Sequence, residues 1–136
     1  MSDFRRVTDD LYVSPQISLA DLAEAAAQGF TTVIDNRPDG EEPGQPTAAE
    51  MEAAAQAAGL EFAYIPVRGA PGPNEVEGMR QAFDAASGPV LAYCRSGTRS
   101  ITTWSIGQAM SGARTRGDLI GLAREAGYDL SGVLGG

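Results

Sequence analysis

The chain has 136 residues, the size of one compact domain, and its 43% hydrophobic and 21% charged residues are an ordinary globular composition. Eighteen acidic residues against ten basic ones, every one an Arg, give a net charge of −8, which argues against nucleic acid or an anionic membrane surface as a partner. With no His and one Cys, Cys94, the chain has no internal disulfide and no zinc site of the usual type, and we expect no metal and no other cofactor.

No apolar run follows Arg5-Arg6, so no signal peptide is expected, and no stretch approaches the ~18 apolar residues of a membrane span. A reducing, cytoplasmic setting is the expectation for a lone Cys. In chain order, Leu11–Val13 reads as an edge strand. Ser18 and Asp21 have capping-box spacing for a helix from Leu19 to Gln28, closed by Gly29. Phe30–Asp35 is β-branched and apolar, the pattern of a strand buried on both faces. Asn36–Gly44 is a polar loop with strong turn chemistry.

Thr47 and Glu50 predict a second capped helix to Ala58, ended by Gly59. Leu60–Val67 reads as a strand, Arg68–Pro73 as a Gly/Pro-rich loop, and Asn74 with Glu77 as the cap of a helix to about Ala86. Pro89–Tyr93 is a short apolar strand ending at Cys94. Helices are predicted over about Thr98–Met110 and Thr115–Ala126, with Gly127 as a cap and a frayed tail over Leu134–Gly136. Phe83 and Trp104 have core spacing. Strands alternating with helices predict one α/β domain over residues 1–136, a mainly parallel sheet with helices on both faces.

The segment Tyr93-Cys94-Arg95-Ser96-Gly97-Thr98-Arg99-Ser100 lies between a strand and a helix, where α/β sheets bind ligands. Unpaired N–H groups at the helix start, and a loop that curls around one point, make an anion nest. Gly97 supplies the bend. Arg95, Ser96, Gly97 and Thr98 form the expected anion-binding loop. Arg99 offers a planar fork for an oxyanion, and Ser100 a hydroxyl to stabilise a thiolate. Cysteines at helix N-termini beside Arg have pKa values of ~3.5–7.5 rather than ~8.5, so Cys94 is expected to act as a thiolate without a His. The plain alternatives are a small buried hydrophobe for Cys94 and a surface ion pair for Arg99. Arg95 is expected to point outward. Asp35, Arg37 and Arg68 are further candidates for an acid or for substrate contacts. Their structural alternatives are an Asx-turn or an ion pair with Arg37 for Asp35, an ion pair with Asp39 or Glu41 for Arg37, and mere loop exposure for Arg68.

Leu11–Ile17, Ile34–Pro46 with its Asp-Asn-Arg-Pro-Asp-Gly-Glu-Glu run, Tyr93–Ser100 and Ala126–Leu130 together resemble the phosphatase-like domain family of beta-lactamase hydrolase-like proteins. The resemblance implies a bacterial protein with a protein-tyrosine-phosphatase-like three-layer fold, in a family often tied to sulfide or persulfide metabolism. Tyr93 stands where many phosphatases carry His.

Two covalent chemistries fit such a loop: a phosphatase working through a phosphocysteine and a sulfurtransferase working through a Cys94 persulfide. Four residues separate Cys94 from Arg99, the rhodanese spacing, whereas tyrosine phosphatases have five. The facing loop Val67–Asn74 has no Asp or Glu to protonate a leaving alkoxide. Sulfur transfer with a small anionic substrate (thiosulfate, a persulfide or a phosphoester as the range) is therefore the favoured reading, ahead of the phosphatase. An inactive anion-binding module on the same fold is a further alternative, and so is redox sensing by Cys94. Oligomeric state is not legible.

Overall fold

The computed structural model describes residues 3–135. Its strands are β1 (Arg5–Arg6), β2 (Leu11–Ser14), β3 (Thr32–Asp35), β4 (Glu61–Tyr64) and β5 (Val90–Tyr93). Its helices are α1 (Leu19–Ala27), α2 (Ala48–Ala57), α3 (Pro73–Ala85), α4 (Thr98–Met110), α5 (Arg116–Ala126) and α6 (Ser131–Leu134). The sheet order is β1-β2-β5-β3-β4. Strands β2, β5, β3 and β4 run parallel, and β1 pairs antiparallel with β2.

The alternation of side chains along the strands explains the two cores. Val90 and Ala92 of β5, Ile34 of β3 and Leu11 and Val13 of β2 pack with Met79, Ile101, Trp104 and Leu119. Leu91, Tyr93 and Val33 point the other way and pack with Leu22, Ala25, Met51 and Ala55 of α1 and α2. Both faces are covered, and every residue of β3 and β5 is buried. Phe83 stacks edge-on against Trp104 with centroids 5.9 Å apart, as core partners do.

Several expectations are corrected. The Leu11–Val13 strand is not an edge: β1, unforeseen because it is two residues long, lies outside it. The strand at Leu60–Val67 closes at Tyr64, just before Ile65-Pro66, where proline removes a ladder donor. Helix α3 begins at Pro73, and Glu75 accepts from the Gly72 N–H at 2.8 Å; Asn74 and Glu77 are not its cap. Leu134 does not fray but is buried at the end of α6, while Gly136 lies outside the described residues. The capping boxes at Ser18/Asp21 and Thr47/Glu50 form as expected, and α4 has the expected bounds. Among the described residues no helix is long and apolar enough to cross a membrane.

Candidate active site

Strand β5 occupies the middle of the sheet, and its carboxyl end delivers Cys94 between the exits of β2 and β3. The backbone fastens that position on both sides. The Cys94 N–H donates to the Ser14 carbonyl at 3.4 Å, the Gln16 N–H to the Arg95 carbonyl at 3.2 Å, and the Asn36 N–H to the Tyr93 carbonyl at 2.8 Å. The loop therefore hangs from three strands rather than one, and its geometry follows the sheet.

Gly97 caps α4 with φ +92°, a left-handed conformation that a side chain would strain. Its N–H donates to Cys94 Sγ at 3.1 Å. A Cβ at this position would stand 2.1 Å from Tyr128 Oη. That hydroxyl donates to the Ser96 carbonyl at 2.8 Å, so Tyr128 braces the loop from behind. The Arg5 guanidinium lies 5.2 Å over the Tyr128 ring. Ser96 Oγ and Thr98 Oγ1 bond one another at 3.0 Å on the exposed side. Ser100 is fully buried, and its Oγ has no hydrogen-bond partner within the protein among the described residues.

Arg99 sits on the first turn of α4, close enough to Cys94 for the sulfur to favour its charge. Its fork, however, is already engaged within the chain. Nη1 donates to Glu41 Oε2 at 2.7 Å and to the Val67 carbonyl at 2.9 Å, and Nη2 donates to Glu41 Oε1 at 2.8 Å. The Arg99 hydrogen bonds hold the Glu41 carboxyl far down, at about 2.

Arg37 ties the same segment together from below. It is 3% exposed. Its Nε donates to Glu41 Oε1 at 2.9 Å, Nη2 to Glu42 Oε1 at 2.7 Å and Nη1 to Gln16 Oε1 at 3.1 Å. The ion pair foreseen for Arg37 is thus made with Glu41, not with Asp39. Asp39 instead accepts from the Ala48 N–H at 2.8 Å at the start of α2.

Asp35 lies apart from this cluster. Its Oδ1 accepts from the Arg37 N–H at 2.9 Å, the turn expected as its structural alternative. Burial raises its carboxyl to about 6, against the opposing pull of the Arg37 N–H and the Tyr93 hydroxyl. Burial and the neighbouring Asp35 charge in turn raise Tyr93. No hydrogen bond joins Asp35 to the Cys94 loop among the described residues. Arg68 is exposed on the loop after β4. Arg95 is 73% exposed, with Nε 3.8 Å from Glu42, and points outward as expected.

The structure thus brings Gly97 and Arg99 to Cys94 and adds Arg37 through Glu41, while Ser100 is buried on the first turn of α4 with no hydrogen bond to the sulfur among the described residues. Sequence reading missed Gln16, Tyr128 and the bond from Arg99 to Glu41. Glu41 was legible only as a partner for Arg37, since its bond to Arg99 spans 58 residues. Tyr128 lies in the Ala126–Leu130 stretch that carries the family resemblance, but nothing local pointed to its contact with Ser96, 32 residues away.

The family described as "Beta-lactamase hydrolase-like protein, phosphatase-like domain" matches residues 3–111. A beta-lactamase hydrolase-like protein from Agrobacterium fabrum is 39% identical over 127 residues, covering 92% of this chain but 29% of the relative. The chain therefore spans under a third of the length of that relative. A solved structure from Neisseria meningitidis, provisionally described as a phosphatase, has a TM-score of 0.86 and 35% identity, covering 99% of this chain and 96% of that one. Tk-PTP, with a TM-score of 0.69, 21% identity and coverage of 92% and 85%, shares the fold. The architecture is the protein-tyrosine-phosphatase-like α/β fold, and the chain belongs to the beta-lactamase hydrolase-like protein, phosphatase-like domain family.

Proposed function

We propose that this domain is a cysteine-dependent sulfurtransferase that carries a sulfane sulfur as a Cys94 persulfide, with Gly97, Arg99 and Ser100 supporting the sulfur. The observation that carries the reading is the short ring. Only Arg95, Ser96, Gly97 and Thr98 lie between Cys94 and Arg99, and the Gly97 N–H rests on Sγ at 3.1 Å. A ring this tight suits one transferred sulfur atom better than a tetrahedral phosphoryl group.

Two further features support it. The loop facing the site from Val67 to Gly72 has no acid, and the next acid along the chain, Glu75, accepts from the Gly72 N–H. An alkoxide or phenoxide leaving group needs a proton. Sulfite does not. An incoming oxyanion would also have to compete with Glu41 for the Arg99 fork.

In the forward step the Cys94 thiolate attacks the outer sulfur of thiosulfate. A new S–S bond forms, the old one breaks, and sulfite leaves with its electron pair. No proton is consumed. A nucleophilic acceptor such as cyanide then takes the terminal sulfur, and its attack returns the bonding pair to Cys94 as thiolate. Arg99 offsets the negative charge on the persulfide, and the buried Ser100 hydroxyl supplies a donor with no competing partner. Cys94 is 0% exposed, so its reaction requires the loop or the adjoining Arg99–Glu41 pair to open.

The second reading is a phosphatase working through a phosphocysteine. It is favoured by the description of the Neisseria meningitidis relative. A rhodanese assay with thiosulfate and cyanide, run beside p-nitrophenyl phosphate hydrolysis, tests the order. Thiocyanate formation abolished by Cys94→Ser is expected. Phosphate release that depends on Cys94, with no thiocyanate, would reverse it. An inactive binding module would show neither.

A further inference from the structure

One hollow, about 400 Å³, lies between β4 and α3 at Thr32, Glu61 and Phe62. Those residues open β3 and β4, at the ends of the strands opposite Cys94, so that hollow cannot serve the reacting sulfur. A smaller groove, about 280 Å³, is different because Arg99 forms part of its wall.

The groove runs along one face of α4. Arg99, Thr102 and Ile106 are spaced three and four residues apart, so they stack on the same side of the helix. Ala70 and Pro71 of the loop after β4 form the opposite wall, and Val133 of α6 closes the end. Val133 is 54% exposed, so an apolar rim is left open to solvent. Arg99 is the one charged residue in this lining. The groove is thus an apolar slot with a cation at the end that adjoins the reacting cysteine. A cavity of about 150 Å³ is enough to hold a benzene ring, so this slot admits a phenyl group or a short alkyl chain.

Resting on the reading of the Cys94 loop as the site of sulfur transfer, we propose that this groove seats the apolar arm of the substrate. The substrate class is then an organic monoanion, an aryl or alkyl thiosulfonate or persulfide, with its sulfur head at Cys94 and Arg99. Bare thiosulfate uses the head site alone. The orientation follows from chemistry: the anionic head takes the Cys94 end, where it displaces Glu41 from the Arg99 fork, and the apolar arm takes the wall of Ala70, Pro71, Ile106 and Val133.

Other charged groups and hollows lack such a slot beside the site. The Arg80 cluster with Glu77 and Asp84 is an exposed ion-pair set on α3. The hollow at Arg114 and Asp118 is wide open to solvent. The buried Asp35 already has its partners in Arg37 and Tyr93.

The test uses the whole chain and two anions with the same head that do not react with Cys94: benzenesulfonate and methanesulfonate. Calorimetric titration should show benzenesulfonate binding at least about tenfold tighter, the scale of a small buried apolar group. Val133→Ser should reduce that ratio, and Ala70→Trp, which fills the groove from an exposed position, should bring it close to one. Thermal melts of both variants check that they fold. Equal affinities for the two anions in the unaltered protein would overturn the proposal while leaving the reading of the Cys94 loop standing. A preference for benzenesulfonate that survives both substitutions would place the arm elsewhere and overturn it as well. Binding of neither anion would remove the head site, and the loop reading would fall with it.

Discussion

Replacing Gly97 by Ala should damage the site more than any other single methyl group added to this chain. Two penalties act together. The backbone at φ +92° is strained for an L-residue, at about 1–2 kcal/mol. The new Cβ would also fall 2.1 Å from Tyr128 Oη and 3.0 Å from Cζ, so the ring must move. Moving it breaks the 2.8 Å bond to the Ser96 carbonyl, which adds about 1 kcal/mol. The sum is about 2–3 kcal/mol, which for a domain of this size lowers Tm by about 10 °C. The assay is thermal denaturation of four proteins: the native chain, Gly97→Ala, Tyr128→Phe and the double variant. Tyr128→Phe alone loses the hydrogen bond and should cost about 1 kcal/mol. In the double variant that bond is counted once, so the double should be less destabilised than the two singles added, by about 1 kcal/mol. Sulfur transfer should fall with Gly97→Ala, because the N–H on Cys94 Sγ moves with the loop. A Gly97→Ala protein with native Tm and native turnover would refute the bracing of this loop by Tyr128.

Asp35→Asn should stabilise the protein above pH 6. Asp35 ionises in the folded chain at about 6 rather than 3.8, so folding favours the neutral form and stability is lost as pH rises through that window; the gap corresponds to about 3 kcal/mol at full ionisation. The amide oxygen keeps the bond from the Arg37 N–H, so chemical denaturation at pH 8 should show Asp35→Asn well ahead of the native chain, and at pH 4 little difference. Glu41, held at about 2, has the opposite sign: its contribution is complete above its ordinary value of 4.5 and is lost as pH falls toward 2, so Glu41→Gln should narrow the acid-induced loss of stability seen by circular dichroism. The same substitution frees one edge of the Arg99 fork, and inorganic phosphate should then inhibit sulfur transfer about fivefold more strongly, an effect that weakens with salt.

The fold was legible because its signals are local. Ser18 with Asp21 and Thr47 with Glu50 announce two helices through bonds that span three residues, and both form. The apolar runs at Thr32–Asp35 and Val90–Tyr93 name the two strands that must be covered on both faces. Where the reading failed, the deciding contact was long-range or the element was too short to carry a pattern. Two residues of β1 show no alternation, yet they turn Leu11–Val13 from an edge into an interior strand. At α3 two overlapping caps compete in the sequence. Glu75 reaches Gly72, and Pro73 suits the first helical position, so the helix starts before Asn74.

At the site, the linear motif placed Cys94, Gly97 and Arg99 because six consecutive residues share one loop and helix start. It could not place Glu41, which meets Arg99 across 58 residues only because β3 and β5 are neighbours in the sheet. Arg37 was read as either a cleft residue or an ion pair, and it is the buried ion pair that positions Glu41. Electrostatics within the site is therefore a property of strand order, and strand order is what a single sequence conveys least.

The most direct test is the intact mass of the protein after brief exposure to thiosulfate and removal of the excess. A persulfide carrier gains the mass of one sulfur atom, located on Cys94 by peptide mapping, absent from Cys94→Ser, and discharged by cyanide. An unchanged mass under conditions in which the same preparation, exposed to an aryl phosphate, shows a trapped phosphoryl group on Cys94 would contradict the account.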